Sequence, residues 1–406
     1  MWKNRNVWII LIGEMIAGLG LWSGIIGNLE FMQERIPSDF LKSVIMAIGL
    51  LAGILVGPLA GKVIDQSRNK TVLLISGFGR MISVCFMLIA IGTGSIWWMV
   101  AFMISIQLSA AFYFPALQAT IPLVVKDENL LQMNGWHMNV ATMARVIGTA
   151  LAGVVLVYWT LDALYYMSII AYGGLLITTY MLRIEEEDGT EAKVKVSAPG
   201  KGGFMEVFPI LKSYPAVMMT LVMTLIPLLF IGSFNLLVIN ISELQDSASI
   251  KGTIYAAEGI AFMLGTVVVK YIAKIWSTST ILFFFAFVIG LAELILIFAA
   301  NPFLSVTAFA VFGFAVGSFF PTAMTIFQKQ MPKAFHGRFF SFRNMLERVI
   351  FQVVLLATGA LLDLIGLQWM VVVFGVLSLS LTTIFLIQMK RRNIILDTND
   401  QTAEIA

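Results

Sequence analysis

The sequence has few charged residues, one cysteine and two histidines. Only 12% of its 406 residues are charged and 59% are hydrophobic, whereas soluble globular proteins have about 25% charged residues. This composition excludes an ordinary soluble protein. The single cysteine, Cys85, cannot form an intrachain disulfide. One cysteine and two histidines are also too few for a zinc or iron site.

Motifs for catalysis and nucleotide binding are missing from the sequence as well. It contains no G-x4-G-K-[ST] loop to hold the phosphates of ATP, no cluster of metal ligands and no nucleophile–base motif. The net charge of +3 does not favour nucleic acid as a partner. We therefore expect a protein that is not an enzyme, has no cofactor or metal, and binds no nucleic acid.

Long, continuous apolar runs make up most of the chain. A run of about 20 residues spans a bilayer as an α-helix, whereas the strands of a membrane barrel are about 10 residues long and alternate. The sequence predicts an all-α integral membrane protein with twelve transmembrane helices in two six-helix bundles. The predicted spans lie near residues 7–28, 43–64, 71–93, 96–121, 135–158, 160–182, 216–241, 252–274, 279–300, 303–327, 340–362 and 368–389.

Basic residues are distributed unevenly among the predicted loops. Most of the 26 lysines and arginines fall at the N-terminus, in the even-to-odd loops, or at the C-terminus. Only Arg35, Lys42 and Lys251 fall in the loops on the other side. Because cytoplasmic loops are enriched in lysine and arginine, this pattern predicts that both termini are cytoplasmic.

A polar stretch divides the predicted helices six and six. It predicts a first bundle over 1–182, a cytoplasmic linker with an amphipathic, interfacial segment over 183–215, a second bundle over 216–390, and a cytoplasmic tail over 391–406. The two halves share a short repeat. FYFPALQATIP (112–122) and ARVIG (144–148) of the first half correspond to SFFPTAMTIFQ (318–328) and ERVIF (347–351) of the second.

Ionisable residues also occur inside the predicted helices. Each costs at least about 2.5–3.5 kcal/mol at the bilayer centre, so we expect them to face an interior path and to find partners. A path for polar or charged solutes accounts for such residues, whereas a purely structural protein has little reason to keep them. They are Glu14, Arg80, Arg145, Glu258, Glu293, Arg343, Glu347 and Arg348.

The acidic members of this set are candidates for carrying a proton. Glu14 is the leading candidate because it stands alone among apolar residues in the first predicted helix. Glu258 and Glu293 are alternatives. Glu30, at the outer end of the same predicted helix, is expected to be a solvated loop residue, and His137, at the mouth of the fifth, is assigned no role.

The basic members are candidates for the substrate pathway. Arg145 and Arg348 occupy equivalent positions in the two repeats, and transporters built from repeats bind their substrates near the bilayer midplane at the repeat interface. Arg343 and Glu347 are four residues apart, which favours an ion pair on one helix face. Arg80 fits either a structural role or a place in the pathway.

Two further motifs resemble a known family. PALQATIPLVVKDENLLQMNGW (115–136) is similar to the proline–alanine, acidic, leucine and Asn-small pattern that follows helix 4 in the bacterial macrolide-efflux type of drug:proton antiporter. MPKAFHGRFFS (331–341) resembles the Pro-x4-Gly-Arg-aromatic-x-Ser pattern before helix 11 of that group. Over nearly its whole length the chain resembles the major facilitator superfamily.

The resemblance implies a gate at the cytoplasmic ends of the helices. GPLAGKVIDQSRNK (57–70) stands where the superfamily has its Gly-x3-Asp-Arg-x-Gly-basic-basic loop, which latches the two halves together when the pore faces outward. The latch acts against the start of helix 11, where free N–H groups carry partial positive charge. The implied gate residues are Gly61, Asp65, Lys70, Gly337, Arg338 and Arg343.

Predicted helix 5 carries a pattern of small residues. In ARVIGTALAGVV (144–155), Gly148 pairs with Ala152 and Thr149 with Gly153, each four residues apart. Such pairs let membrane helices pack closely. Antiporters of the superfamily have a Gly-Pro-x-x-Gly-Gly run here, and Thr149 stands where its proline would be. The antiporter motif is therefore half present.

The resemblance also implies a function. It implies a multi-pass transporter in a bacterial plasma membrane that exports lipophilic or amphipathic compounds, of the macrolide or multidrug kind, by proton antiport and alternating access. The proton gradient supplies the driving force, and a small-molecule substrate, protons and the lipid bilayer are the partners of a monomer. The alternatives are a transporter of a lipid, siderophore or anionic metabolite, or a non-transporting membrane protein.

Overall fold

Helices form the regular secondary structure of the described part of the chain. In the computed structural model these residues are 2–184, 213–331 and 336–392, together with 211, 394 and 396. Eleven stretches among them are long and apolar enough to cross a membrane, and the last of these runs from Phe342 to Arg391. Gly366 interrupts this last stretch with a non-helical backbone (φ 75°, ψ 172°), so it contains two spans. The prediction of an all-α protein with twelve spans is confirmed.

We number these helices in chain order and divide the final stretch, His336–Arg391, at Gly366. A short 3-10 turn, Leu296–Phe298, follows α9. The helices are α1 (Arg5–Arg35), α2 (Asp39–Gln66), α3 (Asn69–Thr93), α4 (Ile96–Val124), α5 (Asp127–Tyr158), α6 (Leu161–Met181), α7 (Pro215–Leu244, in two segments that meet at Thr224), α8 (Ser249–Ile272), α9 (Thr278–Ile295), α10 (Pro302–Gln330), α11 (336–365) and α12 (367–391).

Local chemistry sets several helix ends. The Ser38 hydroxyl accepts a hydrogen bond from the backbone N–H of Leu41 (3.1 Å) and caps the start of α2. Asn301 caps α10 in the same way, and Pro302 follows at the first helical position. α3 ends at Gly94, whose φ of 67° lies in the left-handed region that glycine adopts without strain.

Helices α1 and α5 extend well beyond their predicted apolar spans. α1 continues to Arg35 and α5 begins at Asp127, because a helix keeps its i to i−4 hydrogen bonds where its side chains have become polar. The prediction that Glu30 is a loop residue is therefore wrong. It lies in α1, and its Oε2 is 2.7 Å from the Nζ of Lys251 in the first turn of α8.

The described residues form two compact units. Unit 1 holds the described part of Met1–Val194 together with Asp246–Ala256, and unit 2 holds the described part of Lys195–Gln245 and Ala257–Ala406. In unit 1, α1 packs against α5 and α6, α3 packs against α4 and α6, and α2 packs against α4. In unit 2, α9 packs against α10, and the α11–α12 stretch packs against α7 and α9. Most of the predicted linker, residues 185–210, lies outside the described residues.

The shared prolines of the predicted repeat lie at matching depths in their helices. Pro115 lies 19 residues after Ile96, the first residue of α4, and Pro321 lies 19 residues after Pro302, the first residue of α10. Each proline removes one hydrogen bond from the interior of its helix. The equal spacing is what a repeat of the two halves would produce.

The closest helix contact within unit 2 joins α8 and α10. A Cβ atom added to Gly313 would collide with the backbone carbonyl of Glu258, and one added to Gly317 would collide with that of Phe262. The Ser318 hydroxyl donates a hydrogen bond to the Gly265 carbonyl oxygen across the same contact (3.2 Å). Glycines four residues apart let membrane helices pack backbone to backbone, and this pair does so.

We expect Gly317→Ala to destabilise the protein by about 1–3 kcal/mol, the usual cost of overpacking. The added methyl group has no space, since it would meet backbone rather than a side chain that can move. Gly173→Ala in α6 is the matched control, because no atom lies within 4 Å of its added Cβ. Thermal unfolding of the purified protein in detergent measures both effects. Equal melting temperatures for the two variants would contradict the α8–α10 contact.

Candidate functional site

A polar cluster lies inside unit 1, where four helices meet. It consists of Glu14 from α1, Arg80 from α3, Tyr113 from α4 and His137 from α5. Glu14 is 7% exposed, and Arg80 and Tyr113 are each 2% exposed. The His137 side chain is partly buried. The helix faces around the cluster are apolar, so these four side chains form a polar group in an otherwise apolar part of unit 1.

The Glu14 carboxylate contacts two members of the cluster. The Tyr113 hydroxyl lies close enough to the carboxylate to interact with it electrostatically. On the other side, Oε2 of Glu14 lies 3.8 Å from Nε2 of His137. Neither of these two atoms has a hydrogen-bond partner. The distance suits a charge pair but exceeds the length of a hydrogen bond, so one carboxylate oxygen faces the imidazole without a direct hydrogen bond to it.

Arg80 gives the cluster a permanent positive charge. Its guanidinium carbon lies 4.1 Å from the ring centroid of Tyr113 and 4.9 Å from that of Phe114. Its Nε and Nη2 atoms have no hydrogen-bond partner, so the aromatic faces stabilise the cation. Arginine does not lose its proton in proteins. A buried positive charge therefore acts on the Tyr113 hydroxyl, which also interacts with Glu14.

Small residues of α1 allow the helices of the cluster to approach one another. A Cβ added to Gly18, one turn after Glu14, would lie 2.5 Å from the Cβ of Ala144 in α5. One added to Gly13 would lie 2.7 Å from Oγ1 of Thr178 in α6. A cavity of about 10 Å³ lies beside Gly13, Tyr113 and Thr178, which is close to the smallest volume that holds one water molecule.

Two further acids are buried in unit 2. Glu293 in α9 is 2% exposed, and its Oε2 accepts a hydrogen bond from the Ser378 hydroxyl in α12 (2.7 Å). Its other carboxylate oxygen has no hydrogen-bond partner. Glu258 is 5% exposed and lies in α8, where its backbone faces Gly313. Glu293 thus joins two helices of one bundle.

The predicted basic residues occupy different surroundings. Arg343 and Glu347 form the expected pair within one helix, with 2.6 Å between Nε and Oε1. Arg145 in unit 1 is half-buried, and its guanidinium carbon lies 5.8 Å from the ring centroid of Trp22. Arg348 in unit 2 is exposed. The two arginines of the predicted repeat pair therefore belong to different units.

The gate prediction falls largely on side chains that the structure does not describe. This holds for Gly61, Asp65, Gly337 and Arg338, and for these the latch stays a prediction. Lys70 is described, and its Nζ donates hydrogen bonds to the carbonyl oxygens of Tyr180 (2.8 Å) and Leu182 (2.7 Å) at the end of α6. A lysine in this position stabilises free carbonyl groups at a helix C-terminus.

The small residues of α5 lie at two close helix contacts. A Cβ added to Gly148 would lie 3.1 Å from the Cβ of Trp22 in α1. One added to Gly153 would lie 3.1 Å from the Ser249 carbonyl oxygen in α8. Either addition would force a neighbouring helix to move, which fits a role for both glycines in packing.

Sequence reasoning missed two members of the cluster. His137 was placed at the mouth of a helix predicted to begin at residue 135, whereas α5 begins at Asp127. The histidine therefore lies well inside the helix, in reach of Glu14. Tyr113 carries no signal of its own, because a tyrosine in an apolar run is ordinary. Its contact with Arg80 and its interaction with Glu14 distinguish it, and both are visible only in the structure.

Comparisons with known proteins agree with this architecture. The chain is 24% identical to Macrolide efflux protein A of Streptococcus pyogenes over 191 residues, which are 45% of this chain and 45% of that protein, so the match spans less than half of either chain. It is 23% identical to the uncharacterized MFS-type transporter YfiS of Bacillus subtilis strain 168, over 96% of this chain and 94% of that protein. The crystal structure of the nucleoside transporter NupG (D323A mutant) superposes with a TM-score of 0.76 at 11% identity, covering 94% of this chain and 99% of that one. At this identity the superposition shows the fold alone.

The family is shown by its sequence profile. The profile of the Major Facilitator Superfamily matches residues 10–354 and, in a second match, residues 242–394. Together the two matches include every helix from α1 to α12. The chain accordingly belongs to the major facilitator superfamily.

Proposed function

We propose that this transporter exports lipophilic or amphipathic compounds in exchange for protons and that Glu14 carries the proton. The observation that carries the proposal is the buried Glu14 carboxylate, of which one oxygen has no hydrogen-bond partner and faces His137 at 3.8 Å. An acid of this kind is costly to keep in a membrane interior. Proton coupling is a function that requires it.

The surroundings of Glu14 support two protonation states. When the carboxyl group is neutral, it places no negative charge in the bilayer and still has the polar Tyr113 hydroxyl beside it. When it is ionised, the positive charge of Arg80 compensates for it across the Tyr113 ring. A group that is stable in both states can take up a proton on one side of the membrane and release it on the other.

Two observations support the substrate class, namely the similarity to Macrolide efflux protein A and the side chains near Arg145. The relative with the shorter match is a macrolide efflux protein, and macrolides are large amphipathic compounds. In unit 1, Trp22 lies beside Arg145, and its ring centroid is 6.1 Å from that of Tyr255. Aromatic faces beside a cation suit a molecule with both apolar and polar parts.

The available driving force is sufficient for such export. One proton moving down about 100 mV releases roughly 2.3 kcal/mol, which sustains a gradient of about fiftyfold for a neutral compound. The orientation that this requires, with both termini in the cytoplasm of a bacterial cell, follows from the basic residues at the predicted inner loops. A monomer suffices for alternating access between two repeated halves.

We expect Glu14→Gln to abolish substrate-driven proton release, because glutamine keeps the size and polarity of the side chain beside Tyr113 but cannot ionise. Energised inverted membrane vesicles with an internal pH dye measure this release when macrolides, dyes, siderophores or lysolipids are added. The matched control is Glu243→Gln, which removes an exposed carboxylate at the end of α7. It should leave the release within twofold of the unsubstituted protein at equal expression.

Several outcomes of that assay would count against the proposal. If no compound moves protons in vesicles with the unsubstituted protein, the antiport mechanism is wrong. If Glu14→Gln still releases protons and Glu258→Gln does not, the proton carrier is misassigned. A response to siderophores or lysolipids alone would replace the proposed substrate class with one of the alternatives.

We expect Glu293→Gln to keep at least half of the transport rate. Glutamine can still accept the hydrogen bond from Ser378 through its amide oxygen, so the link between α9 and α12 remains. The vesicle assay measures this variant beside Glu14→Gln, and both changes replace a buried carboxyl group by an amide of the same size. Loss of proton release in Glu293→Gln with normal release in Glu14→Gln would transfer the proton-carrying role to unit 2.

A further inference from the structure

We infer that His137 is the proton-exchange partner of Glu14, so that the transported proton passes between these two side chains. The inference rests on the proposed antiport function and adds a second residue to it. In the transfer, the O–H bond at Oε2 of Glu14 breaks and an N–H bond forms at Nε2 of His137. A carboxylate and an imidazolium result, and water then takes the proton from the imidazolium.

The geometry places the two atoms one small movement apart. Oε2 of Glu14 and Nε2 of His137 are separated by 3.8 Å, and a hydrogen bond forms at about 2.7–3.2 Å. A shift of roughly 1 Å in either side chain therefore closes the gap. Neither atom has another hydrogen-bond partner to release first. A histidine that only filled space would have its ring nitrogen bonded elsewhere when it is buried.

The two side chains differ slightly in exposure. The Glu14 side chain is 9% exposed and the His137 side chain is 17% exposed. The helix of Glu14 packs closely on α6 at Gly13, and Tyr113 of α4 lies beside its carboxylate. In the proposed transfer, His137 is the member of the pair that passes the proton on.

The charges that face the pair come from every helix packed around it. α3 contributes Arg80, α4 contributes Tyr113, and α6 contributes Tyr172, whose hydroxyl also experiences the charge of Arg80. With one proton on the pair, the cluster carries one net positive charge, whichever of the two holds it. After release the carboxylate and Arg80 cancel. The empty state is therefore neutral, which suits a site inside a membrane.

The first test measures the pairing without any transport. The chain has two histidines, His137 and His336, so a His336→Gln background leaves one ¹⁵N-labelled histidine for NMR. We expect the ring-nitrogen signals of His137 to change when Glu14→Gln is added, because Nε2 then loses the carboxylate with which it exchanges a proton. Unchanged signals would show that the two groups do not share a proton and would overturn the inference.

The second test separates proton coupling from substrate binding. His137→Gln keeps a polar side chain but cannot accept a proton at neutral pH. With erythromycin and ethidium as probes in inverted vesicles, we expect proton release to fall at least tenfold. Exchange of labelled erythromycin across vesicles without a proton gradient should stay within twofold, which shows that the variant is folded and binds.

The outcomes distinguish this inference from the proposed function. Proton release at the normal rate in His137→Gln, while Glu14→Gln has none, would overturn the role of His137 and leave the antiport intact. Equal loss of proton release and of gradient-free exchange would show a structural role for His137 and also overturn the inference. Absence of proton release in the unsubstituted protein with either probe would overturn both proposals.

Discussion

The interior of a bilayer offers no water to a charged side chain, and the arrangement of polar groups in this protein depends on that constraint. Several buried charges in the described residues lie beside a group that offsets their cost. Lys251, with no exposed surface, is bonded to Glu30 across 2.7 Å. Arg80 lies against two aromatic rings, and Glu293 accepts a bond from Ser378. Glu14 differs, because its carboxylate oxygen without a hydrogen bond faces the imidazole of His137 at 3.8 Å.

These contacts depend on close packing of the helices. Membrane helices gain nothing from the hydrophobic effect when they associate, so they rely on close contact and on polar bonds between them. Gly13 and Gly18 bring α6 and α5 up to α1, on either side of Glu14. In unit 2, Gly313 and Gly317 do the same for α8 and α10. The positions of these glycines therefore determine which polar side chains lie close enough to interact.

Much of the fold could be predicted from the sequence, since long apolar runs have few alternatives to a membrane-spanning helix. The sequence also predicted directly that Glu14 lies within a membrane-spanning helix. It did not predict the partners of Glu14, because these depend on how each helix is rotated about its axis, and a uniformly apolar run gives no indication of that rotation. An error of two turns in the start of α5 was enough to hide His137. The same limit hid the Glu30–Lys251 pair, as polar helix ends resemble loops in sequence.

The order in which the cluster is assembled has a consequence for how the chain enters the membrane. Arg80 is synthesised about 30 residues before Tyr113, and about 60 before the His137 that completes the cluster. At a synthesis rate of 5–20 residues per second, roughly 2–6 seconds pass between the synthesis of Arg80 and that of Tyr113, the first aromatic residue that covers its guanidinium group. During that interval the helix must be held by its apolar residues alone, against a cost of about 2.5–3.5 kcal/mol for one arginine. The apolar residues of α3 are therefore needed for membrane insertion as well as for the folded bundle. Polar substitutions in α3 would reduce the yield of inserted protein even where transport by the inserted protein is unaffected.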